Sequence, residues 1–156
     1  MSALFQTSFQ IPGTTGKEVQ TQYCALCYRI VKDKPQILLI TSRGTKRWIL
    51  PKGWPMKSRT PGQAALREAY EEAGVIGRVS ETALGLFPYT KTVERSSDIP
   101  CVGIVYPVHV RLLKAEYPEA GERKRKWFSR KKAAKQVAEP ELARILKTFD
   151  PSKLRN

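Results

Sequence analysis

The sequence predicts an α/β fold with helices on both sides of a sheet, and three observations predict it. Runs rich in β-branched and aromatic residues, from Tyr23 to Ile30, Gln36 to Thr41 and Cys101 to Leu113, are separated by polar turns. One stretch, Thr60 to Gly74, carries the start and stop signals of a helix. Near the C-terminus, Leu142, Ile145, Leu146 and Phe149 recur at i, i+3, i+4 and i+7, the stripe of a helix packed on a core.

Taken in order, residues 1–20 are polar, contain Pro12, Gly13 and Gly16, and show no sustained period, so they predict a loosely held arm. A single domain over 21–150 follows, with a short tail over 151–156. Lys32-Asp33-Lys34-Pro35 is a turn joining the first two strands into a hairpin, and Arg47 to Leu50 is a third short strand ending at Pro51. Thr60 is the N-cap of the central helix, Pro61 suits its first position, Gln63 completes a capping box, and Gly74 is the C-terminal cap. On this helix Leu66, Ala69, Tyr70 and Ala73 are expected to pack inward, opposite Glu68, Glu71 and Glu72, with Ala64 and Ala65 on the carboxylate side. Strands are expected over Arg78 to Glu81, Ala83 to Tyr89 and Lys126 to Phe128, with Lys91 to Pro100 a mobile loop. Ser129 caps a helix through about Val137, and Pro140 opens another through Phe149.

Composition narrows the class of partner. Twenty-eight Lys and Arg against 14 Asp and Glu give a formal charge of +14, a field that concentrates polyanions. No apolar run approaches the length of a bilayer span, and the N-terminal residues lack the basic start and apolar core of a signal peptide, so a cytoplasmic protein without membrane partners is expected. Cys24, Cys27 and Cys101 are odd in number and lie among apolar residues, which reads as buried free thiols rather than a disulfide framework or a zinc site. His109, the only histidine, lies in an apolar strand and is expected to be packed or at an edge. The oligomeric state is not written in the sequence.

The chemistry concentrates between Gly53 and Val75. Glu68, Glu71 and Glu72 stand at i, i+3 and i+4, within one side of a helix, where like charges repel unless a cation lies between them. Mg²⁺ or Mn²⁺ suits an all-oxygen platform that leaves positions for substrate phosphates. Such an ion neutralises charge on phosphoryl oxygens, and a spare glutamate can take a proton from the attacking water.

Gly53, Arg67, Glu68, Ala69, Glu71, Glu72, Gly74 and Val75 all fall on the positions of G-x5-E-x7-R-E-U-x-E-E-x-G-U, with U apolar, and the stretch therefore resembles the box of the Nudix hydrolases. The resemblance implies an α/β/α sandwich with a mixed sheet. It implies metal ligands at Glu68, Glu72 and the Gly53 carbonyl, with Glu71 a ligand or general base and Arg67 part of the catalytic constellation. It also implies hydrolysis of a nucleoside diphosphate derivative or a related pyrophosphate. The departure is at position 59, where the motif has Glu and this chain has Arg59, so that Arg67 must find another acid.

The flanks Trp48 to Gly53 and Arg125-Lys126-Trp127-Phe128 resemble the diphosphoinositol polyphosphate phosphohydrolase branch. Eight Lys or Arg lie in the fifteen residues from Gly121 to Lys135, and Lys46, Arg47, Lys52, Lys57 and Arg59 surround the entrance to the box. Arg47, Lys52, Arg59, Arg125 and Lys126 are accordingly expected to contact a polyphosphorylated substrate. A diphosphoinositol polyphosphate comes first and a dinucleoside polyphosphate or capped RNA second. A basic scaffold of this type that binds nucleic acid without turnover is the rival reading. An additional base is sought among Glu94, Asp98, Glu116, Glu119 and Glu122.

Overall fold

The computed structural model describes residues 18–91 and 98–154. The expected arm therefore lies almost wholly outside the described residues, as do the centre of the expected 91–100 loop, Glu94 within it, and the last two residues of the tail.

The strands are β1 (Gln20–Val31), β2 (Lys34–Thr41), β3 (Trp48–Ile49), β4 (Lys52–Gly53), β5 (Val75–Val79), β6 (Gly85–Lys91), β7 (Ile99–Leu113) and β8 (Arg125–Ser129). The helices are α1 (Pro61–Ala73), α2 (Arg130–Gln136) and α3 (Pro140–Thr148), followed by a 3-10 turn at Pro151–Lys153. β1 is the axis of the sheet. It runs parallel to β7 from the Gln20–Cys101 pair to the Tyr28–His109 pair. Its other edge is shared, antiparallel β2 taking Cys27 to Val31 and β4 taking Tyr23 and Cys24. β8 and β3 extend the sheet beyond β2, and β6 and β5 extend it beyond β7. The sheet is thus mixed, and the hairpin between β1 and β2 turns through Lys32 and Asp33, both at positive φ as a two-residue hairpin loop requires.

Alternation along β1 sends its side chains into two cores. Tyr23, Ala25 and Cys27 join Leu38, Ile40 and Tyr106 beneath α1, while Cys24, Leu26 and Tyr28 join Leu39, Phe128, Leu142 and Leu146 beneath α2 and α3. Burial on both faces explains why β1 reads as a continuous apolar run rather than an alternating one. It also separates Cys24 from Cys27, which are free, buried and on opposite faces. His109 lies at the outer end of β7, stacked on Tyr28 at 4.7 Å.

Two expectations are corrected. β4 was not foreseen, since two residues after a proline carry no period, and β5 begins directly at Val75 because Gly74, at φ 71°, turns the chain straight from helix to strand. The faces of α1 are also not partitioned as expected. Ala64, Ala65, Ala69, Glu72 and Ala73 are buried, whereas Leu66 and Tyr70 are only half-buried. The alanines let the helix approach the sheet closely, which places the Glu68–Glu72 side of the helix inward and leaves the bulkier Leu66 and Tyr70 at its margin.

Burial holds the Cys24 thiol up to about 12 from its ordinary 9.0 and also raises Cys27. A thiol kept neutral by folding binds its proton more tightly than in the unfolded chain, so its contribution is complete below pH 9 and is lost as pH climbs toward 12. Above the ordinary thiol value of 9.0 the urea midpoint should therefore fall with pH, and the fall should be shallower in a Cys24→Ala/Cys27→Ala variant.

Candidate active site

The site rests on how α1 is fixed at both ends. At its start Thr60 Oγ1 accepts from Gln63 N at 3.1 Å and Thr60 N donates to Gln63 Oε1 at 2.9 Å, the reciprocal capping box. Glu81 adds a charge there: its Oε1 accepts from Gly62 N at 2.9 Å and its Oε2 from Thr60 Oγ1 at 2.6 Å. A carboxylate at this end also complements the helix dipole. At the other end the segment after β7 wraps the exposed carbonyls. Lys114 N donates to Gly74 O at 2.9 Å, Glu119 N to Glu71 O at 3.0 Å, and Arg125 Nη1 to Ala73 O at 2.7 Å. A side chain at Gly74 would collide with Tyr117 at 2.6 Å, so the wrap closes only over glycine.

So fixed, α1 presses Glu68 and Glu72 against β4. A Cβ on Gly53 would stand 2.3 Å from the Glu68 carboxyl, so the main chain there lies directly against that side chain. Glu72 is 7% exposed and stands one turn after Glu68 on the same side of the helix. Burial drives the Glu72 carboxyl up to about 8 against the pull of Arg123, and Glu68 adds to the rise. Glu68 is raised as well, burial being the main cause. Two carboxyls so placed disfavour the doubly charged state unless a cation lies between them.

These groups fit a hard divalent ion. The donors are all oxygen, they lie side by side, and the Gly53 main chain lies directly against Glu68. Among the described residues, however, no three of His, Cys, Asp and Glu are gathered into a ready cluster. The reason is Glu71. Its Oε2 accepts from Arg67 Nε at 2.7 Å, one turn back on the outward side of the helix. Arg67, deprived of the motif acid at position 59, has taken Glu71 instead, and the expected trio is a pair plus a tethered third member.

The five basic residues expected to contact substrate are not gathered on one wall. Only the main chain of Lys52 reaches the pair, its N–H 3.4 Å from Glu72 Oε1; its ammonium lies over Tyr89 at 5.3 Å, a ring packed on the core beneath α2 and α3, and burial lowers its pKa. Arg47 sits in the β2–β3 turn with Nε on Thr45 Oγ1 at 3.2 Å. Arg125 holds the end of α1 and lies 4.8 Å over Tyr117, while its neighbour Lys126 projects beside Phe128, which packs on the other face of the sheet. Arg59 lines a cavity with Leu66, Arg67 and Tyr70 on the side of α1 away from Glu68 and Glu72, so its expected place at the phosphate-facing entrance is not where it stands.

Arg123 was missed as a site residue because nothing in its spacing separates it from seven other cations in the same run. It is 9% exposed, 4.0 Å from Glu72 Oε2, and bonded to Glu119 Oε1 at 2.9 Å and Thr41 O at 3.1 Å. Of the outlying carboxylates, Glu119 is thereby brought to the pair, while Glu122 is engaged by Arg43 at 3.1 Å on the surface. Gln22, 2% exposed and accepting from the Tyr89 hydroxyl, was also unforeseen.

Comparison with known proteins matches the NUDIX domain over residues 20–149. The chain belongs to this family. It is 36% identical over 112 residues to the Homo sapiens diphosphoinositol polyphosphate phosphohydrolase 3-alpha, covering 70% of this chain and 64% of that protein. It is 33% identical over 123 residues to the Arabidopsis thaliana protein named Nudix hydrolase 13, mitochondrial, covering 68% of this chain and 61% of that one. The chain thus spans less than two thirds of the length of these relatives. The crystal structure of the C. elegans Ap4A hydrolase shares the fold, with a TM-score of 0.59, 19% identity and coverage of 83% of this chain and 94% of that one. Nudix hydrolases generally use divalent cations, which agrees with the oxygen donors gathered at Glu68 and Glu72.

The tight approach at β4 yields a direct test. Gly53→Ala should push the flexible Glu68 carboxyl aside with little change in thermal stability. It should weaken Mn²⁺ binding measured by paramagnetic resonance, whereas Gly44→Ala, in open space, should leave that binding unchanged.

Proposed function

We propose that the chain is a divalent-cation-dependent pyrophosphohydrolase that cleaves a phosphoanhydride in a polyphosphorylated small molecule. A diphosphoinositol polyphosphate is the first substrate, with a dinucleoside polyphosphate or capped RNA the alternatives. The observation that carries this reading is the Glu68–Glu72 pair, Glu72 buried and Glu68 pressed against Gly53. The names of the diphosphoinositol relatives and the formal charge of +14 support the substrate class.

Glu68 and Glu72 would hold Mg²⁺ or Mn²⁺ together with main-chain oxygen of Gly53. The ion, when bound, supplies charge neutralisation for the phosphoryl oxygens and acidifies water. Glu71, on release from Arg67, is the carboxylate free to accept that water's proton. Lys52 meets the pair through its main-chain N–H, and its ammonium, held over Tyr89 and desolvated, is a cation for a phosphate that reaches that face of the sheet. Arg123 holds Glu72 and Glu119 in place from behind. Three buried free thiols support a reducing, cytoplasmic setting, and among the described residues no helix is long and apolar enough to cross a membrane.

Phosphate release should be measured over inositol pyrophosphates, dinucleoside polyphosphates and capped RNA in Mg²⁺ and in Mn²⁺. Glu72→Gln should lower turnover about 100-fold or more while keeping the far-ultraviolet circular dichroism of the wild type. Undiminished turnover removes the assignment of the pair. Salt-dependent RNA binding without any phosphate release would favour the basic scaffold instead.

A further inference from the structure

Behind the motif helix lies a cavity of about 610 Å³ that the hydrolytic reading does not use. Its helical wall is Gln63, Leu66, Arg67 and Tyr70, the i, i+3, i+4, i+7 face opposite Glu68 and Glu72. Its floor is apolar, completed by Val75 and Ile76 at the start of β5. Its rim is cationic, with Lys57 and Arg59 from the turn before α1 and Arg67 from the helix itself, and no carboxylate lines it.

The turn is a defined piece of backbone. Arg59 N donates to Met56 O at 3.2 Å, and Ser58 between them has φ 66°. Among the described residues neither Lys57 nor Arg59 makes an ion pair, so both charges are available to a ligand. The Arg67 guanidinium lies 5.3 Å from the Tyr70 ring, a paired cation and ring against which a planar group can stack. The size falls within the roughly 300–1,000 Å³ usual for small-molecule sites.

We propose that this cavity is a second ligand site, separate from the glutamate pair, for a phosphorylated compound carrying a planar ring, of which a nucleoside diphosphate is the simplest type. The three rim cations take the phosphates, and Tyr70 with the Leu66 and Ile76 floor takes the ring. The site exists because position 59 is Arg. A glutamate there would put a carboxylate on the rim, neutralise Arg67 and repel phosphate; Arg59 makes the rim uniformly positive. Arg67 belongs both to this rim and to the ion pair with Glu71, so a ligand's phosphate here touches a side chain one hydrogen bond from the motif carboxylates.

The test is calorimetric titration of the full chain with ADP in EDTA, where no divalent ion is available to bring phosphates to Glu68 and Glu72. A single saturable site is expected. Arg59→Glu should weaken it about tenfold or more, and so should Lys57→Glu, as reversal of a contacting charge does. Glu72→Gln should leave the affinity within about twofold, which distinguishes this site from the hydrolytic one whether or not the chain proves to be a hydrolase. Pyrophosphate should bind about tenfold more weakly than ADP, and Tyr70→Leu should erase that difference. Absence of saturation, equal binding by wild type and both charge-reversed variants, loss of binding in Glu72→Gln, or pyrophosphate matching ADP would each overturn the proposal.

Discussion

Two carboxylates side by side in a poorly solvated place are the constraint on which the rest of the structure depends. Glu72 is almost fully buried and Glu68 stands one turn before it on the same side of the helix. Desolvation and mutual repulsion both disfavour the charged pair, so a structure that holds it needs compensation from elsewhere. That compensation is visible around α1. Alanines bring the helix onto the sheet, a capping box and Glu81 fix its start, and the segment from Lys114 to Arg125 fixes its end. Arg123 supplies partial neutralisation at 4.0 Å. Strain is thus concentrated at one point and restrained at both ends of one helix, the pattern expected of a cation site rather than of a core helix.

The position of β4 follows from the same need. β2 leaves the edge of β1 after pairing with Cys27, and β4 fills the vacated edge at Tyr23 and Cys24. This brings Gly53 under Glu68 and Lys52 beside Glu72 in two consecutive residues. On the adjoining surface Tyr89 donates to Gln22, and the Lys52 ammonium lies over the Tyr89 ring. A cation, a ring and a satisfied amide are therefore in place on the face of the sheet away from α1, joined to the pair through the Lys52 main chain. Lys52 is an ammonium with a lowered pKa in a dry setting, so an anion there gains more than it would at an exposed lysine.

What could be read from the sequence was what local rules dictate. Thr60, Pro61, Gln63 and Gly74 state the bounds of α1 because capping is chemistry within four residues. The apolar runs state β1, β2 and β7 because burial on both faces leaves long apolar stretches. Long-range terms were not legible. Nothing in the spacing of Arg123, Glu81 or Gln22 marks them, since each acts on a partner distant in the chain. The faces of α1 were misjudged for a related reason. Tyr70 and Leu66 are apolar, but close approach to a sheet favours alanine over bulk, and the inward arc is centred on Ala65, Ala69 and the two glutamates.

Whether Arg59 silences the chemistry turns on the strength of the pair it creates between Arg67 and Glu71. Both side chains are substantially exposed, at 43% and 32%. Exposed pairs four residues apart on a helix are worth about 0.3–0.5 kcal/mol, and the order here, Arg before Glu, is the less favourable one. A divalent ion held by Glu68 and Glu72 would attract the Glu71 carboxylate with twice the charge of a guanidinium, which makes the exposed tether to Arg67 the weaker of the two. Loss of the motif glutamate removes a fixed anchor for Arg67 without removing the third carboxylate from reach, and the helix keeps its orientation through caps that position 59 does not touch.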